Sequence, residues 1–327
     1  KGRDHRTGDE KSPALFGMKD EKKILTGSQA VYGKRIFALD IGGTRLKYGM
    51  FICGAAGEIT ELSGGEVDSL AKEGASALMT RVFSVCDAES FDLLGISSAG
   101  MIGRDGSVLY ANENIPGYTG YPLARVLGER YGVPVYAQND IAAGAIAEVT
   151  ENRRDFYYLS LGTGVGGILI QDGMPLVGEH GIAGQIGYLP SRDGTDCIDR
   201  AASTSGLCRR GGDTRALFDA AAAGDGDAGR NLSDWAKEVM YVLSLVIGFY
   251  DPRRIIIGGG ISRQGERLLA ALLREEEMLP LPYRKKCLLE VATHGGRSGV
   301  LGAAVYALRR WQKESGDSTT LPRSTTR

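Results

Sequence analysis

Cysteine is scarce in this chain, and it occurs in none of the arrangements that cysteine chemistry requires. The 327 residues include five cysteines, widely scattered and with no C-x-x-C pair. An odd and dispersed set argues against a disulfide framework and against a zinc knuckle. The pattern is typical of reduced thiols, so we predict a cytoplasmic protein.

The sequence also has little net charge and no long apolar run. Its 39 basic and 40 acidic residues give a formal charge of −1, which favours neither a nucleic-acid-binding face nor a polyanionic partner. The longest apolar stretch, residues 239–250, is too short to span a bilayer, and the charged first residues do not resemble a signal peptide. We therefore expect a soluble protein that binds neither nucleic acid nor membranes.

What the chain does contain is a glycine-rich turn used twice. The first, DIGGT, begins at Asp40, and the second, GTGVGG, begins at Gly162; each follows an apolar run and leads directly into another. Because glycine has no Cβ, backbone N–H groups in such turns can approach phosphate oxygens closely. The duplication predicts two backbone loops that face one polyphosphate.

The sequence context excludes two other phosphate-binding motifs. Gly162, Gly164 and Gly167 have the G-x-G-x-x-G spacing of dinucleotide-binding folds, but that motif requires a helix directly after the glycines. Here the chain continues as ILIQDGMPLV, which predicts a strand, a tight turn and a second strand. No G-x-x-x-x-G-K-[ST] segment occurs, so a P-loop is excluded as well.

The spacing of apolar residues predicts two similar cycles of strands and helices. The first cycle begins with a three-strand meander from residue 35, and the second with a strand at residues 156–161 that enters the second glycine turn. A long helix is predicted at residues 233–250, with its N-cap at Ser233 or Asp234. Two such cycles predict a duplicated α/β fold.

This duplication predicts two α/β domains around a cleft. We expect a small domain of residues 34–139 plus 298–315, and a large domain of residues 140–297. Residues 1–33 and 316–327 are expected to form flexible tails. Ligands in such sheets bind beyond the carboxyl ends of strands, and four residues at predicted strand ends could converge there: Asp40, Asp140, Gly162 and Gly258.

Short segments spread over most of the chain carry a family resemblance. They are, in order, DIGGTRLK (40–47), NIPG (114–117), QND (138–140), GTGVGG (162–167), GIAGQIGY (181–188) and IGGGI (257–261). Together they resemble the ROK family of sugar kinases, over about residues 35–311. The resemblance implies a duplicated actin-like (ribonuclease H-like) ATPase fold, carbohydrate kinase activity, and ATP and Mg²⁺ as cofactors.

The resemblance assigns chemical roles to two aspartates. It implies that Asp140 is the general base that accepts the proton of the attacking sugar hydroxyl. The alternative is a plain helix N-cap, for which aspartate is a preferred residue, but the flanking motifs favour the catalytic interpretation. Asp40 is expected to hold Mg²⁺ through water, and its alternative is an aspartate in an ordinary turn.

The remaining expected contacts fall into a nucleotide set and a sugar set. The nucleotide set is Asp40, Gly42, Gly43, Thr44, Lys47, Gly162, Thr163, Gly164, Gly258, Gly259 and Gly260. The sugar set is Gly100, Asn114, Asn139, Asp140, Gln185, Tyr188 and Asp199. The alternative for the two turns, hairpins that bind no ligand, is disfavoured because both precede strands in matching cycles. A glycine triplet alone is more often a turn, and residues 258–260 are assigned to the adenosine because they follow a buried strand.

The chain departs from the family's pattern in its sugar and zinc segments. Gln185 stands where the family usually has Glu, and Tyr188 where it usually has a His that binds zinc and sugar. Of the family's cysteine cluster only Cys197 remains, with Pro190 and Arg192 at the other cysteine positions. One thiol and one phenol cannot build a tetrahedral zinc site, so we predict no structural zinc.

The resemblance leads to a predicted activity with two alternatives. We predict ATP-dependent phosphorylation of a hexose or hexose derivative, such as glucose, N-acetylmannosamine or a β-glucoside, at the 6-hydroxyl, by a homodimer. A sugar-sensing regulator of the same family would need an N-terminal helix-turn-helix, and residues 1–33 lack two patterned helices. An ATP hydrolase of the same superfamily would not require the sugar constellation of Asn114, Asn139 and Asp140.

Overall fold

The computed structural model describes residues 32–55 and 57–316 of the chain. The strands are β1 (Arg35–Ile41), β2 (Arg45–Cys53), β3 (Ile59–Asp68), β4 (Leu93–Ser98), β5 (Met101–Ile102), β6 (Val108–Tyr110), β7 (Val135–Asn139), β8 (Phe156–Leu161), β9 (Val165–Gln171), β10 (Met174–Pro175), β11 (Arg254–Gly258) and β12 (Leu288–Val291). The helices are α1 (Ala75–Cys86), α2 (Leu123–Tyr131), α3 (Asp140–Ala147), α4 (Ile198–Ala202), α5 (Thr204–Gly211), α6 (Thr214–Ala222), α7 (Gly226–Tyr250), α8 (Glu266–Leu273) and α9 (Ser298–Glu314).

The strands form two five-stranded sheets that share one topology. The first sheet has the order β3-β2-β1-β4-β7 and the second has the order β10-β9-β8-β11-β12. In each sheet the first three strands in the chain are antiparallel neighbours, and the next two are added parallel to the central strand. A separate ribbon pairs β5 with β6. The predicted duplication of an α/β unit is therefore confirmed.

Alternation along β1 explains why the first sheet is buried on both faces. Ile36 and Ala38 pack against α9, whereas Phe37, Leu39 and Ile41 pack into the core covered by α1 and α2. Successive side chains of a strand point to opposite faces, so a strand that is apolar at nearly every position is stable only between two layers.

The second sheet is covered in the same way. Phe156 and Tyr158 of β8 pack toward α3, whereas Tyr157 and Leu159 join the core beneath the long helix α7. That core includes Trp235, whose indole N–H donates to the carbonyl oxygen of Ala202 at 2.9 Å. Burial of the polar end of the indole is thus compensated by a hydrogen bond.

Helices α3 and α9 lie between the two sheets and contact each other. Gly302 of α9 lies so close to α3 that an added Cβ would overlap the carbonyl oxygen of Ala143. The closest approach thus occurs where one helix has no side chain, as dense interior packing requires. Because α3 begins at Asp140 and α9 begins at Ser298, this contact fixes the spacing of two walls of the central cleft.

The predicted N-cap of the long helix is wrong. The helix begins at Gly226, and the Asp225 carboxylate caps it by accepting hydrogen bonds from the N–H groups of Asp227 and Ala228. The first turns of α7 are stabilised by tertiary packing, since Ala228 and Leu232 are buried in the core. The sequence predicts a helix only from Ser233, because the strongly apolar run begins there and residues 226–232 lack it.

The other predicted elements agree with the structure within a few residues. The β1–β3 meander and the strand at residues 156–161 are confirmed. The tails predicted at residues 1–33 and 316–327 lie, apart from residues 32, 33 and 316, outside the described residues. Among the helices that the structure describes, none combines the length and apolar character needed to cross a membrane.

Candidate active site

The first glycine turn connects β1 to β2 directly beside Asp40. The N–H of Gly42 donates to the carbonyl oxygen of Arg45 at 3.0 Å, which closes the turn. The carbonyl oxygen of Thr44 accepts from the N–H of Ser69 at 3.0 Å. Gly43 lies next to Asn114, since an added Cβ would be 3.8 Å from the Cβ of Asn114. The structure therefore brings one predicted sugar residue close to the first predicted phosphate turn.

The second glycine turn connects β8 to β9 and is also closed by a backbone hydrogen bond. The N–H of Gly162 donates to the carbonyl oxygen of Gly164 at 2.9 Å. The carbonyl oxygen of Gly162 accepts from both the N–H and the hydroxyl of Thr204, at 2.8 and 2.6 Å. Thr163 is exposed at the tip of the turn. Each turn is thus closed by a hydrogen bond from its first glycine, which reaches three residues ahead in the first turn and two residues ahead in the second.

Asp199 is bound to the second glycine turn. Its Oδ1 accepts from the N–H of Val165 at 2.6 Å and packs against Gly164, where an added Cβ would lie 2.6 Å away. The same oxygen lies near Gly187, in the segment that contains Gln185 and Tyr188. Asp199, predicted as a sugar contact, therefore links the second phosphate turn to the predicted sugar segment.

Asp140 is the first residue of α3, and Asn139 is the N-cap. The N–H of Ile141 donates to Asn139 Oδ1 and to Asp140 Oδ1, each at 2.9 Å. The Asn139 amide donates to the carbonyl oxygen of Gly100 at 2.7 Å. This hydrogen bond holds two predicted sugar residues, Asn139 and Gly100, together. Since Asn139 fills the N-cap position, helix capping does not explain why an aspartate stands at position 140.

The surroundings of Asp140 change its acidity. The carboxylate is open to the cleft, but protein on both sides surrounds it, and this desolvation together with the nearby charge of Asp40 raises its pKa to about 6. The hydrogen bonds from Ile141 and Asn139 act in the opposite direction and are the weaker influence. A carboxylate with a pKa near 6 is better suited to accept a proton than an ordinary aspartate.

Asp40 is held at the end of β1 by contacts on both oxygens. Oδ1 accepts from the hydroxyl of Ser97 at 2.7 Å, and Oδ2 lies 3.7 Å from the ammonium group of Lys47. The N-terminal turn of α9 reaches the same carboxylate, because a Cβ added at Gly299 would overlap it. Ser97 and Gly299 were not identified from the sequence, since neither belongs to a recognisable motif.

The first glycine turn, the start of α3, the segment after β11 and the start of α9 enclose a cleft of about 300 Å³, and the predicted residues Gly162, Thr163 and Gly164 of the second turn do not line it. Its lining includes Asp40, Gly42, Asp140, Gly259 and Gly260 from the predicted sets. It also includes residues that the sequence did not single out: Ser160, Ser262, Arg263, Gly295, Gly296 and Gly299. The structure therefore brings the two predicted aspartates and part of the predicted glycine set to one cavity.

The glycine triplet after β11 contributes to this cleft unequally. Gly258 ends the strand and lies under Tyr158, so that an added Cβ would overlap the phenol. Gly259 has φ +81° and approaches the carbonyl of Leu161, and both features exclude a side chain. Gly260 begins a short 3₁₀ helix and lines the cavity. Only Gly259 and Gly260 therefore present backbone to a bound ligand.

Apart from Asp140, the predicted sugar residues lie outside the lining of this cavity. Asn114 is exposed, Gln185 is half-buried, and Tyr188 is 66% exposed. Partial desolvation raises the pKa of Tyr188, and the neighbouring Tyr110 and Asp199 act in the same direction. The phenol of Tyr188 and the amide of Gln185 can form hydrogen bonds to the hydroxyl groups of a ligand.

The segment around Cys197 is organised by side-chain hydrogen bonds. The Asp193 carboxylate accepts from the N–H and hydroxyl of Thr195 and from the hydroxyl of Ser191, which lowers its pKa to about 2. The Arg192 guanidinium pairs with the nearly buried Glu238 of α7 at 3.1 Å. Within the described part of the chain, no group of three or more His, Cys, Asp and Glu side chains could hold a metal ion.

The duplicated sheets, this cleft and the similarity to known sugar kinases together identify an ATP-dependent carbohydrate kinase with an actin-like fold. The chain belongs to the ROK family, whose sequence model matches residues 36–310.

Similar proteins support this assignment over most of their length. The chain is 28% identical over 308 residues to a glucokinase from Halalkalibacterium halodurans, which covers 81% of this chain and 92% of that protein. It is 32% identical over 232 residues to an N-acetylmannosamine kinase from Citrobacter koseri, with coverage of 65% and 79%. A ROK hexokinase structure from Thermus thermophilus superposes with a TM-score of 0.70 at 27% identity and covers 85% of this chain and 99% of that one.

Proposed function

We propose that this protein transfers the γ-phosphoryl group of ATP to the 6-hydroxyl of a hexose or hexose derivative, with Asp140 as the general base. The observation that carries the proposal is the position of Asp140 in the cleft, next to Asp40, with a pKa of about 6. The similarity of the chain to a glucokinase and to an N-acetylmannosamine kinase supports glucose or N-acetylmannosamine as the acceptor. A β-glucoside is a further candidate.

In this reaction the residues of the chain position the reactants and accept a proton. The sugar hydroxyl loses its proton to Asp140 while its oxygen forms a bond to the γ-phosphorus, and the bond from that phosphorus to the β,γ-bridging oxygen breaks to release ADP. Backbone N–H groups of the turns at Gly42 and Gly162 would bind phosphate oxygens. The transition state is loose, so positioning and charge neutralisation contribute most of the rate.

The residues present fit a magnesium ion next to the phosphates. Asp40 offers carboxylate oxygens, which are the ligands that Mg²⁺ prefers, and Oδ2 makes only a long contact to Lys47, at 3.7 Å. We propose that Asp40 holds the ion through water. When bound, the ion would neutralise charge on the β- and γ-phosphates.

The experiment that tests the proposal measures ADP release from Mg-ATP in the presence of single sugars. The panel holds glucose, mannose, N-acetylglucosamine, N-acetylmannosamine, allose, fructose and cellobiose, each against a blank without sugar. Strong stimulation by one sugar, with a product phosphorylated at its 6-hydroxyl, is the expected result. No stimulation by any sugar that still binds would contradict it and favour a sugar sensor, whereas ADP release independent of sugar would favour an ATP hydrolase.

We also propose a homodimer in the cytoplasm. Two large apolar side chains in one region of the surface support the dimer: Phe249 and Leu281 are 75% and 77% exposed, and Gly248 beside the first packs against Tyr283 near the second. All five cysteines are free thiols, which agrees with a reducing compartment. Sedimentation at micromolar concentration tests the dimer, and a Phe249→Ser variant should shift it toward the monomer.

A further inference from the structure

Arg263 lies where two cavities meet. It belongs to the short 3₁₀ helix Gly260–Gln264 and lines the central cleft together with Asp40 and Asp140. It also lines a larger outer cavity of about 760 Å³, which shares only Arg263 and Gly296 with the cleft. Any ligand that extends from the cleft into the outer cavity therefore passes this side chain.

Two other cations line the outer cavity, and both already have protein partners. The ammonium group of Lys47 donates to the carbonyl oxygen of Gly296 at 2.8 Å and lies 3.7 Å from Asp40. The guanidinium of Arg297 donates to the carbonyl oxygen of Tyr48 and pairs with Glu61. These contacts hold both cations in place before any ligand binds.

The guanidinium of Arg263 differs from both. The side chain is exposed, and among residues 32–55 and 57–316 it has no hydrogen-bond or ion-pair partner. All five of its N–H donors remain available, in a planar fork that matches the oxygens of a phosphate group. A guanidinium that lines the same cleft as two carboxylates is a suitable counter-charge for a polyanion that enters this cleft.

We propose that Arg263 binds the phosphate chain of the donor nucleotide, as a specificity-determining residue that the glycine motifs do not include. The proposal rests on the function proposed above, since it takes the ligand to be a nucleoside triphosphate. Arg263 follows β11 of the second sheet and Lys47 lies on β2 of the first, so the two cations would reach the phosphates from different sheets. The phosphate chain then links the two sides of the cleft.

The test compares nucleotide binding by calorimetry, without any sugar, for the wild type and for the variants Arg263→Ala and Arg263→Lys. The probes are Mg-ATP, inorganic tripolyphosphate and adenosine. Loss of a hydrogen-bonded charge should weaken Mg-ATP and tripolyphosphate binding by roughly ten- to a hundredfold in Arg263→Ala and leave adenosine binding unchanged. Arg263→Lys should lie between, because it keeps the charge but loses the fork.

Arg274→Ala is the matched control. Arg274 is also exposed and without a side-chain partner in the described part of the chain, but it lines neither cavity. The Arg274→Ala variant should bind all three probes with the affinities of the wild type. Thermal melts of each variant would check that folding is retained.

Three results would overturn the proposal: unchanged affinities in Arg263→Ala, an equal loss for adenosine, and a wild type that binds neither Mg-ATP nor tripolyphosphate. The first two results would leave the proposed function standing, whereas the third would contradict both proposals. A protein that binds Mg-ATP through Arg263 but phosphorylates no sugar would contradict the kinase reaction alone.

Discussion

Asp40 and Asp140 face one cleft, and the charge of Asp40 contributes to the raised pKa of Asp140. Asp40 is the residue before the last of strand β1, and Asp140 begins helix α3, a hundred positions later in the chain. Asp40 is suited to hold a cation, and Asp140 is suited to accept a proton. The properties of this pair lead to the first two predictions.

The first prediction concerns pH. Only the ionised form of Asp140 can accept the hydroxyl proton, and its pKa of about 6 lies above the ordinary value of 3.8. Activity should therefore fall roughly tenfold per pH unit below about pH 6 and stay level above it. The measurement is kcat/KM for the sugar between about pH 4.5 and 8, and a level profile down to pH 5 would exclude Asp140 as the base.

Removal of the base should lower turnover and leave sugar binding nearly intact. In Asp140→Asn the amide keeps the shape of the side chain but cannot accept the proton, so kcat should fall by about 10² to 10⁴. Asp234→Asn changes an exposed aspartate of α7 that pairs only with Lys237, and it should keep full activity. Near-normal turnover in Asp140→Asn would show that another group takes the proton.

Glu148 should be one of the most important charged residues for stability. Its side chain is fully buried after α3 and accepts from the N–H and hydroxyl of Thr293, from the N–H of His294 and from Arg153. Glu148→Ala should lower the free energy of unfolding by about 3 kcal/mol, because it leaves these donors unpaired. Urea unfolding measures the loss.

The matched control for Glu148 is Glu129→Ala. Glu129 is 64% exposed and pairs with Arg125 on the surface of α2, so its loss should change stability by less than about 0.5 kcal/mol. Equal losses in the two variants would mean that the buried hydrogen bonds of Glu148 contribute little.

The contact between α3 and α9 should not tolerate a methyl group. In Gly302→Ala the new Cβ would overlap the carbonyl oxygen of Ala143, and separating the helices should cost about 2 kcal/mol. Gly229→Ala is the control, because Gly229 is also helical but has nothing within 4 Å of an added Cβ. That variant should be more stable by roughly 0.5 to 1 kcal/mol. A thermal melt that shows no difference between them would contradict this interpretation.

The protein should carry no stoichiometric zinc. The segment around Cys197 is held by the hydrogen bonds of Asp193 and by the pair of Arg192 and Glu238, so its folding does not require a metal. Elemental analysis of the purified protein and melting curves with and without a chelator are the measurements. One zinc per chain, or a melting temperature that falls with the chelator, would contradict the prediction.

The limits of sequence reasoning are clear at α7 and β12. The start of α7 was misplaced because Asp225 and Gly226 carry no apolar signal, and the helix there is stabilised by burial of Ala228 and Leu232 in the core. β12 has only four residues and joins the sheet through parallel pairing with β11. Such non-local stabilisation leaves little trace in the spacing of residues.

The sequence by itself determined the two glycine turns, the strands around them and the family, because these depend on short segments whose spacing directly dictates backbone geometry. Only the tertiary structure decided which side chains meet. It brought Asp40 beside Asp140, bound Asp199 to the second glycine turn and left Arg263 unpaired in the described chain between two cavities. These relationships depend on how two sheets pack around α3 and α9, and packing joins residues that are far apart in sequence.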